Sequence, residues 1–284
     1  MAITIEYKDL ELNLPRYTDL ILEGVFAAPD VESNDLSFSN RNGMIAGVDR
    51  TRGRRLSLSG NIVAFNESDF NDAVMEFRRA FEVGIPAERE LILTMPGLAD
   101  GIEVSISCRP RRFAGPINID YDNWSASFQV DLFATDPSFY SPVLASNTAT
   151  LTTDTTPGGH GFPLAFPHGF GGGGSSLTIV HNAGNAYVWP RFIIFGPLVN
   201  PSLINQSAAA TISFEIELGV SDVLYVDSLL RTVTLNGANG ASRFNTLRDS
   251  EWWQLVTGNN SILFDVESTS GSPHVTLSWR DGWL

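Results

Sequence analysis

The sequence predicts a mainly β protein of two domains with a single α-helix, and three observations carry that prediction. Runs in which apolar and polar side chains alternate with a period of two recur through both halves of the 284-residue chain. One stretch repeats its apolar residues at helical spacing instead. Midway, the segment 134–143 (ATDPSFYSPV) carries two prolines and loses the alternation, and 284 residues is a length suited to two domains.

In the first half, strand-like runs fall at 2–7, 19–26, 55–65, 90–95, 101–108 and 124–134. The last shows the pattern best, with Ala126, Phe128, Val130 and Leu132 alternating with Ser127, Gln129 and Asp131. The spacing of Phe70, Ala73, Val74, Phe77 and Phe81 predicts a helix over about 68–83. Ser68 or Asn66 would cap it, Glu67, Asp69 and Asp72 favour its N-terminal dipole, and Gly84 is a natural stop after Arg78 and Arg79. This helix should lay its aromatic stripe on a mostly antiparallel sheet.

After the break come a Thr- and Ala-rich stretch, 144–157, and a Gly-, Pro- and Phe-rich segment, 158–174, which cannot be a central strand. That segment is expected to be an extended excursion held by Phe162, Phe166 and Phe170. Residues 177–284 then supply about eight short strands separated by turn signals, as in a β-sandwich. Ile212, Phe214, Ile216 and Leu218 alternate with Ser213, Glu215 and Glu217. Asn236-Gly237 reads as a tight hairpin turn and Gly258-Asn259-Asn260 as a second turn. Val275, Leu277 and Trp279 form the final strand. The expected domains are 1–143 and 144–284.

The formal net charge is −14 and the isoelectric point about 4.6. Such a chain is poorly suited to wrapping nucleic acid, whose affinity requires phosphate neutralisation by Lys and Arg. No apolar run approaches the roughly 18–20 residues of a membrane span, and no basic region followed by an apolar stretch marks a secretory signal. Cys108, the lone cysteine, falls in phase with Ile102, Val104 and Ile106 and reads as a buried, inert thiol made in a reducing cytoplasm.

Residues for catalysis are hard to assemble. His160 and His168 sit in the Gly-rich segment without a Cys or Asp at ligand spacing; His181 and His274 stand alone. SLSGN at 57–61 lacks the setting of a nucleophile elbow, and GGGGSS at 171–176 lacks a phosphate-reaching lysine. Asp120 and Asp122, read as one strand face near Trp124, are a carboxylate pair of the kind glycosidases hold roughly 5–10 Å apart, but a solvated strand edge accounts for them better. No catalytic residue, metal site or cofactor is expected. Trp252-Trp253 is the conspicuous aromatic pair: on a strand one ring would face the core and the other would be partly exposed, a candidate glycan or partner contact.

Two basic clusters remain, Arg50, Arg52, Arg54 and Arg55 in RTRGRR, and Arg109, Arg111 and Arg112 in RPRRF. Residues 1–140 hold 13 Arg and Lys against 22 Asp and Glu, a net of −9. In that background the arginines suit pairing with a neighbouring subunit's carboxylates better than binding nucleic acid. Both clusters flank strand-like runs and are expected at loop ends.

The ordered segments GNAYVWPRFIIFGPLVNP (184–201), LYVDSLLRTVTLNG (224–237), WWQLVTGNNSILF (252–264) and VTLSWRDGWL (275–284) resemble the C-terminal half of distal tail proteins, the Dit or Sipho_tail family of long-tailed, non-contractile bacteriophages, particularly minor tail proteins of phages infecting actinobacteria. The resemblance runs through the chain and is strongest at 184–284. It implies a tail-tube-like N-terminal split β-barrel or sandwich with one helix, followed by a galectin-like β-sandwich. It further implies a structural virion protein at the tail tip, synthesised in the bacterial host cytoplasm. Such a protein forms a homohexameric ring that joins the tail tube protein to the tail-tip hub protein and, in places, the tape measure and receptor-binding proteins. DNA would pass through the lumen without specific binding, helped by a wall lacking net positive charge. The alternative is a carbohydrate-binding tail component that touches the host cell wall directly, although no galectin-type H-x-N-P-R motif is present.

Overall fold

The computed structural model describes residues 3–115, 119–142, 147–152, 176–269 and 271–284. The expected anchors Phe162, Phe166 and Phe170, with His160 and His168, lie outside them. The chain divides into two compact units, Met1–Pro142 together with Leu284, and Val143–Trp283.

In the first unit the strands are β1 (Thr4–Tyr7), β2 (Leu10–Glu11), β3 (Tyr17–Glu23), β4 (Val31–Glu32), β5 (Leu36–Ser37), β6 (Met44–Ile45), β7 (Arg50–Thr51), β8 (Arg54–Val63), β9 (Arg89–Thr94), β10 (Val104–Ala114), β11 (Ser125–Ala134) and β12 (Phe139–Tyr140), with helix α1 (Glu67–Ala80) between β8 and β9. The main sheet runs antiparallel in the order β2-β1-β9-β10-β11-β8-β3, and β12 adds to β10. Its longest pairing joins β8 and β11 over ten residue pairs, Arg54 opposite Ala134 through Val63 opposite Ser125. Leu56, Leu58, Ile62, Phe128, Val130 and Leu132 thereby share one buried face.

Helix α1 forms where the apolar spacing places it. Asn66 is the cap: its side-chain Oδ1 accepts from the Asp69 amide at 2.9 Å. Phe70, Ala73 and Phe77 are buried, as is Phe81 just past the last turn, whereas Val74 is half-buried. The Phe77 ring lies 4.2 Å from Phe128 on β11, 4.6 Å from Phe81, 5.9 Å from Tyr17 on β3 and 6.0 Å from Phe113 on β10. Tyr7 stacks on Phe81 at 4.7 Å. Cys108, Val104 and Ile106 are fully buried, and burial pushes the Cys108 thiol far up, so it stays protonated. Ile102, expected in phase with them, is 50% exposed because it precedes the strand, at the end of the single turn Ala99–Gly101.

The second unit contains β13 (Asn147–Thr152), β14 (Ser176–Asn182), β15 (Arg191–Phe195), β16 (Leu198–Asn205), β17 (Ala210–Phe214), β18 (Glu217–Leu218), β19 (Val223–Asp227), β20 (Thr232–Leu235), β21 (Ala241–Ser242), β22 (Leu247–Ser250), β23 (Gly258–Ser268) and β24 (His274–Trp279). One sheet runs β13-β24-β15-β19-β20-β21 and the other β14-β23-β16-β17-β22, with β18 on β16. Phe192, Ile194, Leu224, Val226, Val275 and Leu277 of the first sheet, and Leu203, Ile212, Phe214, Ile262 and Phe264 of the second, are buried. The Trp279 indole N–H donates to the His181 carbonyl at 3.2 Å, tying β24 to β14 across the sheets.

Three turn-level expectations change. The run 212–218 keeps its alternating burial but splits into β17 and β18, because the Glu215 amide leaves the ladder for the Thr246 carbonyl and the Ile216 amide for Asn200 Oδ1. Asn236 and Gly237 do take positive φ, 58° and 140°, yet they begin a five-residue connection rather than a two-residue turn, since Leu235 pairs with Ala241. Gly258-Asn259-Asn260 opens β23 instead of forming a turn. The buried Asn260 side chain accepts from the Val256 amide and donates to the Val256 and Gly258 carbonyls, so the turn is closed one step earlier.

Replacing Phe77 with Ala removes the ring at the centre of the first unit's core and is expected to lower stability by about 3–5 kcal/mol, read as a shifted denaturation midpoint. Burial pushes the Tyr17 phenol up to about 12 and the Tyr7 phenol higher still, from an ordinary 10. Both are neutral when folded, whereas the unfolded chain releases these protons near pH 10. Stability present below pH 10 should therefore fall as pH rises towards 12, and Tyr17→Phe should flatten part of that decline in alkaline denaturation curves.

Candidate assembly surfaces

Between β3 and β8 the chain leaves the sheet and returns as an arm. Strand β4 pairs with β7 and β5 with β6, two short antiparallel rungs. Arg52 on β7 meets Glu32 on β4 at 3.1 Å, and Asp35 accepts from the Gly47 amide at 2.8 Å. These contacts hold both carboxyls below the usual carboxylate range, the Arg52 guanidinium acting on Glu32 and the Gly47 N–H on Asp35. Yet Phe26, Val31, Leu36, Met44, Ile45 and Val48 are each more than half exposed. A two-stranded ribbon is marginal by itself, and this one presents its apolar side chains outward.

Arg54 anchors the root of this arm. It is 3% exposed. Its guanidinium donates to the carbonyls of Gly24, Val25 and Ala27 at 3.0, 2.8 and 2.7 Å and to Pro137 at 2.8 Å, and lies 5.0 Å from the centre of the Phe139 ring. The expectation that Arg54 faces a neighbouring subunit is therefore corrected: its fork is used up inside the first unit, where several converging carbonyls supply the acceptors that planar, multiply donating Arg requires. Burial lowers its pKa.

The remaining arginines divide in two. Arg50 and Arg52 are exposed on the arm. Arg55, Arg111 and Arg112 converge on one groove of about 640 Å³ on the outer face of the β8–β11–β10 sheet, with Glu23, Ser57, Asp131 and Phe133. The register explains how clusters more than fifty residues apart meet, since Arg112 lies opposite Asp131, which lies opposite Ser57, which lies opposite Glu23. The second cluster sits inside β10, not at a loop end, and a shift of register between Pro110 and Arg112 turns consecutive arginines to the same side. Arg111 lies 5.3 Å from the centre of the Phe133 ring. Asp131 takes hydrogen bonds from Ser57 and Gln129, and among the described residues Arg55, Arg111 and Arg112 have no carboxylate within ion-pair distance. Arg109 is half-buried and donates to the Pro86 carbonyl at 3.0 Å.

The two tryptophans of the candidate pair differ in burial. Trp253 is 3% exposed, its ring 5.0 Å from Phe192 in an edge-to-face contact, so it belongs to the core of the second unit; Trp252 is half-buried. Asp120 and Asp122 lie not on a strand but in a short 3-10 turn, Ile119–Asn123, because Trp124 with φ 54° bends the chain just before β11. His274 stacks on Phe195 at 4.3 Å and His181 meets Asn259 at 2.9 Å. Among the described residues no cluster of three His, Cys, Asp or Glu could hold a metal, and no helix is long and apolar enough to cross a membrane.

Sequence reading missed the outward-facing arm, whose short apolar runs carry no period. It also missed the meeting of the two arginine clusters, which only strand register reveals. Arg54→Met would leave four carbonyls without their donor. It is expected to cost at least about 3 kcal/mol and to raise hydrogen exchange and protease cleavage at 24–27 before the rest of the unit.

Comparison with known proteins gives one family match and several similar folds. Residues 183–283 match the family described as siphovirus-type tail component, C-terminal domain. No curated protein sequence matches the chain. Over 100% of both chains the fold superposes on the Dit protein of phage SPP1, a paradigm of the hub of the adsorption apparatus in phages infecting Gram-positive bacteria, with a TM-score of 0.69 at 13% identity. A protein of the phage P2 baseplate in its activated, calcium-bound conformation aligns over 98% of both chains with a TM-score of 0.50 at 9% identity. Residues 183–283 thus match the siphovirus-type tail components, and the chain as a whole has the fold of the distal tail protein it superposes on.

Proposed function

We propose that this protein is the distal tail hub of a long-tailed phage. It is a non-enzymatic virion component that closes into a homohexameric ring between the tail tube and the tail-tip adsorption apparatus. The observation that carries the reading is the coincidence of a tail-component domain at 183–283 with a distal tail fold spanning the full chain. The first unit forms the ring and the second projects as an attachment module. Support for that division comes from the first unit's surfaces. An arm with six exposed apolar side chains and a groove with three arginines lacking ion pairs both call for protein partners, and the acidic balance of the chain supplies carboxylates for those arginines.

A head-to-tail contact of this kind generates a ring when its rotation closes. The ring's partners in this reading are its own copies, the tail tube protein above and the tail-tip hub protein below, with tape measure and receptor-binding proteins as further contacts. Its lumen passes DNA without binding it. Rotationally averaged images of tail tips should have sixfold symmetry, and threefold or absent symmetry would refute the ring. Arg55→Glu combined with Arg111→Glu should reduce ring formation in light scattering at least tenfold without changing the melting temperature, because both side chains are exposed. Rings that tolerate the reversal would remove the groove from the subunit interface.

A further inference from the structure

Phe65, in the turn between β8 and α1, is 98% exposed. A lone exposed phenyl carries no argument by itself, but this one occupies a position that normally has a partner. It stands immediately before the Asn66 cap, where an apolar residue usually packs on the fourth residue of the helix. That residue, Phe70, is already covered by Tyr121 at 5.0 Å and Trp124 at 6.2 Å. The Phe65 ring is left outside, with Glu67 and Asp69 on the turn that follows it.

Farther along the same helix a pocket of about 150 Å³ opens beside α1. Its floor is apolar, formed by Ile62, Phe77 and Phe128, all buried; half-buried Val74 and exposed Arg78 also line it. Ser127 and Tyr121 line it too, and its volume is about that of an apolar cavity that accepts a benzene ring. Arg78 has no ion pair among the described residues and adds charge of the sign opposite to Glu67 and Asp69.

We propose that Phe65 of one copy docks into the α1 pocket of a second copy, with Glu67 and Asp69 brought towards Arg78. Phe65 precedes the first turn of α1 and Val74 and Arg78 belong to its later turns, so a copy does not fill its own pocket and each copy offers one knob and one hole. Repeated around an axis, this is a heterologous contact of the kind that makes a ring when its rotation closes, and it places acidic side chains of one helix start beside the basic last turn of the next. The inference deepens the ring reading and rests on it.

Cross-linking the full-length protein tests the contact. Cys108 is buried and is the only native cysteine, so thiols introduced on the surface report cleanly. Mixing Phe65→Cys chains with Val74→Cys chains under a mild added oxidant should give a 65–74 cross-linked dimer, and the double variant a ladder ending in a closed ring. Phe65→Ala should lose ring formation at least tenfold with an unchanged melting temperature, while Phe65→Leu keeps most of it. If only 65–65 or 74–74 products form, or none form where the wild type assembles, the docking is overturned. So too if Phe65 in tail tips cross-links to a different tail protein. Wild-type rings that ignore Phe65→Ala overturn the docking and leave the ring reading standing; a wild type without rings in solution and in tail tips overturns both.

Discussion

Everything in the first unit depends on the packing around Phe77. This one ring lies within about 6 Å of aromatic rings from β3, β10, β11 and the end of α1, so it fixes the helix against the curved sheet and fixes three strands against one another. Dispersion contacts of this kind are weak singly and strong together, and close packing means that none of the four neighbours can shift alone. The same cluster forms the floor of the pocket beside α1 and seals the inner face of the strands that carry the arginine groove. The proposed assembly surfaces are therefore the outside of one aromatic core.

Much of the fold was legible in the sequence because burial follows period. Helix α1 begins and ends within about three residues of the positions its spacing and Asn66 suggest, and the alternation at 126–132 and 275–279 marks the faces that are buried. Turns were harder to read. Asn236-Gly237 has the φ angles its composition favours, but the length of the connection is set by where Leu235 finds Ala241, a partner that no local rule specifies. At 258–260 the buried amide of Asn260 substitutes for a turn. A polar residue that satisfies backbone groups from inside the core looks, in sequence, the same as one exposed on a loop.

The arginines make the same point about function. Seven candidates were alike in sequence, all basic in an acidic chain, and tertiary structure sorts them into different physical roles. Arg54 is consumed by four carbonyls and is structural. Arg109 is half spent on Pro86. Arg52 holds the arm closed through Glu32, whereas Arg55, Arg111 and Arg112 reach one groove without a carboxylate at ion-pair distance among the described residues. What separates them is which face of a strand each occupies and whether a register shift moves it, and both are properties of pairing across the sheet rather than of the residues themselves.

An acidic chain with unspent arginines in one place gives assembly a direction. Uniform like charge opposes self-association in general, and in the proposed ring the groove of positive charge is the place where a neighbour's carboxylates offset it. In the same proposed arrangement the exposed apolar side chains on the arm and Phe65 gain surfaces to cover. There electrostatics would select the orientation, since exposed charges act over roughly 8 Å in physiological salt, and apolar burial would supply the affinity once contact is made. In the proposed ring, a single head-to-tail register fixes the rotation between neighbours, and it is that rotation which decides whether the subunits close or grow an open filament.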